Sequence, residues 1–132
     1  MLVEAVKQKG IEGDSLLDVG GGIGAIQHEL LRAGVARADS VEASTAYIDA
    51  CKEEAARQGH GDRITHHHAD FVDIVPNLER ADIVILERVS SCYADVVNLA
   101  EWSSRLADRV YGLVYSRTNW ASKIAALLFK LI

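Results

Sequence analysis

The chain is short of several things that would announce a class outright. Its 132 residues include one proline and two cysteines, and no apolar run approaches bilayer length; a spanning helix needs about 18 consecutive apolar residues. The opening stretch MLVEAVKQKG carries Glu4 early and lacks the basic, apolar, small-residue order of a secretory signal. Cys51 and Cys92 stand far apart and match no metal or redox spacing. They read as reduced thiols, and the expected location is cytoplasmic. Basic charge is also scarce: 14 Lys and Arg face 19 Asp and Glu, a net charge of −5, with no block of like charge. Proteins that track phosphates need a basic face, so a nucleic-acid partner is disfavoured, although a local patch on an RNA-modifying enzyme stays open. The phosphate-cradling run G-x-x-x-x-G-K-[ST] is missing, which excludes an ATPase of that type.

What is present is a globular composition, 49% hydrophobic and 25% charged. That length suits a single domain over residues 1–132, one able to bury on the order of two-thirds of its unfolded surface. No linker, repeat or low-complexity stretch interrupts it. Leu2, Val3 and Val6 make a short amphipathic turn closed by Gly10. Short β-branched runs then alternate with helical patterns. Leu16, Leu17 and Val19 predict a buried strand, followed by Ile23, Ile26, Leu30 and Leu31 at helical spacing and Gly34 as a stop. Asp39–Ala43 predicts a second strand, and Ser44 caps a helix whose apolar face uses Tyr47, Ile48, Cys51 and Ala55, with Gly59 at its end.

The rhythm continues with a third strand at Ile64–Ala69, a loop with a short turn at Pro76, and a fourth strand at Ile83–Leu86. A helix begins near Asp95, a fifth strand covers Val110–Tyr115, and Ile124, Leu127, Leu128 and Leu131 pattern a last helix. Apolar strands alternating with helices predict an α/β fold, a doubly wound and mostly parallel five-stranded sheet with right-handed crossovers. Ligands of such sheets bind outside the carboxyl ends of the strands, so the chemistry is sought just after each strand.

The most informative stretch is LLDVGGGIG, Leu16–Gly24. Gly20, Gly22 and Gly24 are spaced G-x-G-x-G between a predicted strand and a predicted helix. Glycines permit the tight turn and let a ligand approach the backbone, and the helix start offers unpaired N–H groups. Two acids fall where a nucleotide-type ligand would use them. Glu42 ends the second strand about 20 residues after the first glycine, the place for a carboxylate that accepts ribose hydroxyls. Asp70, in Ala69-Asp70-Phe71, follows the third strand and can accept from an exocyclic amine, with Phe71 beside the adenine ring.

Together LLDVGGGIG, VEAS and ADF resemble the class I S-adenosylmethionine-dependent methyltransferases over Leu16 to about Arg117. The resemblance implies S-adenosylmethionine as cofactor and a Rossmann-like core. It places Asp18 at the foot of the pocket near the methionine part. Gly20, Gly21, Gly22 and Gly24 become the cofactor loop, Glu42 with Ala43 the ribose contact, Asp70 with Phe71 the adenine contact. Glu87 becomes a contact to the methionine end. A nicotinamide-dinucleotide domain is the rival, because Gly20, Gly22 and Ala25 also satisfy G-x-G-x-x-G/A. Against it, Asp18 would face a pyrophosphate, and Gly24 holds the methyltransferase spacing. A non-catalytic cofactor-binding or interaction module is the other alternative.

Methyl transfer is an in-line displacement, so positioning supplies much of the rate and a general base serves only some acceptors. The expected acceptor wall is a loop from Glu87 to Tyr93, and the expected acceptor is a small molecule. Many relatives carry histidines about where Ser91 and Cys92 stand, which this chain lacks. Tyr93 and Glu87 are the candidate catalytic groups. This loop and Tyr111–Trp120 are also similar to the magnesium-protoporphyrin O-methyltransferase group. On a strand, His66 and His68 could share at most one ligand, and no metal is expected. Class I enzymes generally have seven strands in order 3-2-1-4-5-7-6, with an antiparallel hairpin beyond the fifth. Only five strands are counted here, so a truncated chain or a homodimer formed through the fifth-strand edge is expected.

Overall fold

The computed structural model describes residues 6–8, 10–20, 24–90 and 96–116, with backbone alone at 72, 87–90, 96–100 and 113–116. Five strands form one sheet in the order β3-β2-β1-β4-β5. In chain order these are β1 (Ser15–Val19), β2 (Arg37–Glu42), β3 (Ile64–His68), β4 (Ala81–Ser90) and β5 (Ala107–Ser116). Every neighbouring pair is parallel. Helices α1 (Ala25–Arg32), α2 (Thr45–Gln58), α3 (Phe71–Ile74) and α4 (Val96–Arg105) make the crossovers. The sequence order reverses beside β1, so the switch point of the sheet lies between β1 and β4.

Alternation along the strands sorts the core into two layers. Leu16, Ile83 and Ile85 pack with Leu30 and Leu31 of α1 and Ala55 of α2. Their neighbours Leu17, Val84 and Leu86 face the other way, toward Phe71 of α3, with Trp102 of α4 packed against that layer. Strands buried on both faces read as continuous apolar runs, which is why Ile83–Leu86 is so apolar. Each fully buried Leu, Ile or Val contributes roughly 1.5–3 kcal/mol.

Local chemistry fixes the ends. Ser44 accepts the N–H of Tyr47 at 3.4 Å to start α2, and Gly59 stops it at φ 75°. Arg63 ties down the end of α1 by donating to the carbonyls of Leu31 (2.8 Å) and Val35, and to that of Ala36 at 3.4 Å. At the opposite end of the sheet, Ser15 and Asp82 exchange hydrogen bonds, the Ser15 N–H donating to Oδ2 at 3.0 Å. Arg109 of β5 reaches Asp14 just before β1.

Several expectations are corrected. Tyr47 is 37% exposed and lies off the buried stripe of α2, which consists of Ile48, Cys51 and Ala55. The loop expected from Glu87 begins later, because β4 runs through Ser90. Its partner β5 is ten residues long, and the two stay paired past Leu86, with Val89 opposite Tyr115 and Ser90 opposite Ser116. The third strand stops at His68, and Phe71–Ile74 is helical where a loop was expected. Among the described residues no helix is long and apolar enough to cross a membrane. The expected last helix and Tyr93 lie outside the described residues.

Candidate functional site

The parallel register brings the candidate residues to one rim. Val19 lies opposite both Val41 and Leu86, so the next residues, Gly20, Glu42 and Glu87, lie at one level, where β1 and β2 end and β4 continues. Glu42 in turn lies opposite His68, two residues before Asp70. Asp18, Glu42 and Asp70 therefore lie within two residues of the carboxyl ends of the adjacent strands β1, β2 and β3, and Glu87 stands at the same level inside β4. β4 and β5 continue beyond that level as a two-stranded wall.

The turn out of β1 is shaped by glycine at both ends. Gly20 has φ 73° and donates its N–H to the carbonyl of Val41 at 2.8 Å, tying the turn to β2. Gly24 has φ 86° and opens α1 with no side-chain cap on the first N–H groups. Left-handed backbone disfavours any residue with a Cβ. A Cβ on Gly24 would also stand 3.0 Å from Gln27 Nε2 and 3.6 Å from His28 Nε2. Gly21 and Gly22 lie outside the described residues.

The acids have different surroundings. Asp18 is 1% exposed and lies opposite Ser40 of β2 and Ile85 of β4. By strand alternation it shares the α1/α2 face with Leu16. Glu42 is buried, and its Oε1 accepts the Ser44 N–H at 3.2 Å. Ala43 is exposed beside it, its carbonyl accepting from His68 Nε2 at 3.2 Å. Asp70 is exposed at the start of α3, where its carbonyl accepts the N–H groups of Asp73 (3.0 Å) and Ile74 (3.2 Å). Phe71 sits in the second core layer at 5% exposure, packed with the strands rather than standing free beside a ligand. For Glu87 the strand position is described and the side chain is not.

The histidine run divides by face. His67 meets Asp39 at 3.1 Å, and His68 lies 3.4 Å from the Thr45 hydroxyl. His66 has its pKa lowered by burial and by the nearby charges of Lys52 and His67. Among the described residues no group of three His, Cys, Asp or Glu could hold a metal.

Sequence periodicity missed a buried polar layer under the turn. Gln27 is 0% exposed and His28 1%. His28 Nδ1 stands 2.8 Å from Nδ1 of His60, whose ring stacks on it at a centroid distance of 5.0 Å. One imidazole must donate and the other accept, an arrangement that suits a neutral pair of mixed tautomer and is denied to two imidazolium rings. Burial lowers both pKa values; the second imidazole adds to this at His28, and Arg63 with Arg32 does so at His60. The signal was available: Gln27 and His28 precede Leu31 by four and three positions, which puts them on its stripe.

Chemically, the rim offers carboxylates to hydroxyl and amine donors, and an uncapped helix start to an anionic group. The solved structures similar to this chain share its fold. An O-methyltransferase of tomaymycin synthesis from Streptomyces achromogenes, solved in complex with SAM, matches 86% of this chain and 52% of its own (TM-score 0.67, 17% identity). A SAM-dependent methyltransferase from Thiobacillus denitrificans, in complex with S-adenosyl-L-homocysteine, matches 84% of this chain and 46% of its own (TM-score 0.68, 14% identity). A protein from Pyrococcus horikoshii, proposed to be an RNA methyltransferase, matches 86% of this chain and 55% of its own (TM-score 0.72, 22% identity). The chain thus spans about half the length of these structures. No curated protein matches it in sequence. The model of the methyltransferase-domain family matches residues 16–110, from β1 into β5, and the chain belongs to that family.

Proposed function

We propose that the chain binds S-adenosylmethionine at this rim and serves methyl transfer to a small-molecule acceptor. The observation that carries the reading is the turn from Gly20 to Gly24, left-handed at both ends, set among Asp18, Glu42 and Asp70 at or just beyond the ends of three adjacent strands. The residues suit the cofactor's chemistry: an ammonium, a ribose diol and an exocyclic amine all donate, and carboxylates accept. A pyrophosphate would instead bring negative charge toward Asp18, which favours this reading over a dinucleotide. Bound, the cofactor supplies an electrophilic methyl group.

In this reading Gly20, Gly21, Gly22 and Gly24 give the ligand backbone without Cβ atoms. Glu42, beside Ala43, takes the ribose hydroxyls and Asp70 the adenine amine, while Phe71 supports Asp70 from within the core. Asp18 sets the potential at the foot of the pocket, and Glu87 stands at the methionine end. The chain from Glu87 to Tyr93 lines the acceptor side, with Glu87 and Tyr93 as candidate proton acceptors. Positioning of two reactants is the main contribution asked of these residues. A small-molecule acceptor agrees with the net charge of −5, which opposes a polyanion. A cytoplasmic location and a homodimer formed through the β5 edge complete the proposal; among the described residues β5 has a neighbour on one side only.

Titration with S-adenosylhomocysteine tests the reading. Saturable one-to-one binding is expected, and NAD is expected not to compete. Binding of NAD in place of S-adenosylhomocysteine would favour the dinucleotide alternative. Light scattering that gives a monodisperse monomer would count against the dimer.

A further inference from the structure

Glu42 and His68 are register partners across β2 and β3, so their side chains stand on the same face of the sheet. Glu42 is buried at the end of its strand, and His68 is exposed at the end of the other. Beyond Glu42 the chain turns through Ala43 and Ser44 into α2, and a side chain from outside that turn reaches it. His68 Nε2 lies 3.2 Å from the Ala43 carbonyl. A carbonyl only accepts, so Nε2 carries a proton and donates it, whatever the state of Nδ1. The Thr45 hydroxyl, 3.4 Å from the same nitrogen, is a second and longer partner.

The Ala43 carbonyl and the Ser44 N–H belong to one planar peptide unit and point to opposite sides of it. The N–H end of that unit donates to Glu42 Oε1 at 3.2 Å. A peptide plane gripped at its carbonyl cannot swing its N–H, and a carboxylate bonded to that N–H is held with it. The Ala69 N–H, donating to the Glu42 carbonyl at 3.1 Å, ties down the backbone of the same junction. A glutamate ordered in advance loses less rotamer freedom when a ligand arrives, which favours binding.

We propose that His68 is a positioning residue for the ribose end of the cofactor. Through the Ala43–Ser44 peptide it holds the Glu42 carboxylate ready for the diol, and it needs no contact with the ligand itself. The inference rests on the cofactor reading given above. It adds a residue that belongs neither to the glycine spacing nor to the acids at the strand ends.

Titration of three substitutions with S-adenosylhomocysteine tests it. His68→Leu removes the donor at an exposed position and is expected to weaken binding about fivefold, the effect of one hydrogen bond. His68→Asn, whose shorter amide falls short of the carbonyl, should behave alike and serves in its place if His68→Leu does not fold. His68→Gln, whose amide nitrogen stands about where Nε2 does, should bind almost as tightly as the wild type. The discriminating readout is the double-mutant cycle with Glu42→Ala. Because His68 acts through that carboxylate, its loss should change affinity less than about twofold once Glu42 is gone. A merely structural role would cost the same in both backgrounds and would not be repaired by Gln.

An unchanged dissociation constant in His68→Leu or His68→Asn, with the wild type binding, overturns this inference alone. So does an equal loss in the wild-type and Glu42→Ala backgrounds, or a loss that His68→Gln shares. Failure of the folded wild type to bind S-adenosylhomocysteine overturns the cofactor reading and this inference with it.

Discussion

Acid should unfold this protein through the imidazole pair behind α1. His28 and His60 are 1% and 7% exposed and share one proton between their Nδ1 atoms at 2.8 Å. Protonating both would set two N–H groups against each other. Burial holds both pKa values below the ordinary 6.5; Arg32 lowers both further, with Arg57 acting on His28 and Arg63 on His60. Glu54 pulls His28 the other way. In the unfolded chain the two histidines take up protons near pH 6.5, whereas the folded pair, its pKa values lowered, takes them up only at lower pH. The stability they contribute is therefore complete above about pH 6.5 and is lost as pH falls toward their folded values. While both are protonated only when unfolded, each costs about 1.4 kcal/mol per pH unit, or about 2.7 for the pair. His66, lowered for the same reason, steepens the slope further. Urea melts at pH 8, 7, 6 and 5 measure this, compared with His60→Gln, which keeps a hydrogen-bonding partner for His28 and removes one titration. The variant should lose up to half of the pair's slope between pH 6.5 and 5. Superimposable pH profiles for the two proteins would refute the reasoning.

Two further outcomes follow from local geometry. Gly24→Ala should cost about 1–2 kcal/mol, because φ 86° is disfavoured with a Cβ and Gln27 must give way, and it should weaken S-adenosylhomocysteine binding more than an exposed Gly61→Ala does. A thermal melt and a titration check both. Arg63→Met should cost roughly 1.5–3 kcal/mol in urea denaturation, because the carbonyls of Leu31, Val35 and Ala36 lose a charged donor at the end of α1; a change below 0.5 kcal/mol would contradict that clamp.

Much of the fold was legible because its signals are local. Strand runs alternate with helical stripes, Ser44 and Gly59 bound α2 as their chemistry predicts, and the glycine spacing marks the turn after β1. The sheet order then places Asp18, Glu42 and Asp70 on one rim. What escaped depends on tertiary context. Tyr47 fits the apolar stripe by type, but at the first turn of α2 it is exposed while Ile48, Cys51 and Ala55 are buried. The strand β4 outruns its apolar segment because β5 is long enough to pair with it, a fact that no residue of Glu87–Ser90 announces. Gln27 and His28 are polar by type and were passed over, although the positions of Leu30 and Leu31 put them inside. Reading the stripe by angle rather than by polarity would have found them.

Isothermal titration of the wild type and Glu42→Ala with S-adenosylhomocysteine tests the central claim most directly. Glu42 ends β2 level with the glycine turn, and in the proposed reading its loss removes the ribose hydrogen bonds, together with the acceptor of the Ser44 N–H. The account predicts one-to-one binding by the wild type and an affinity about tenfold weaker in the variant, equal to roughly 1.4 kcal/mol. Absence of binding at millimolar ligand by a wild-type protein shown to be folded would contradict it.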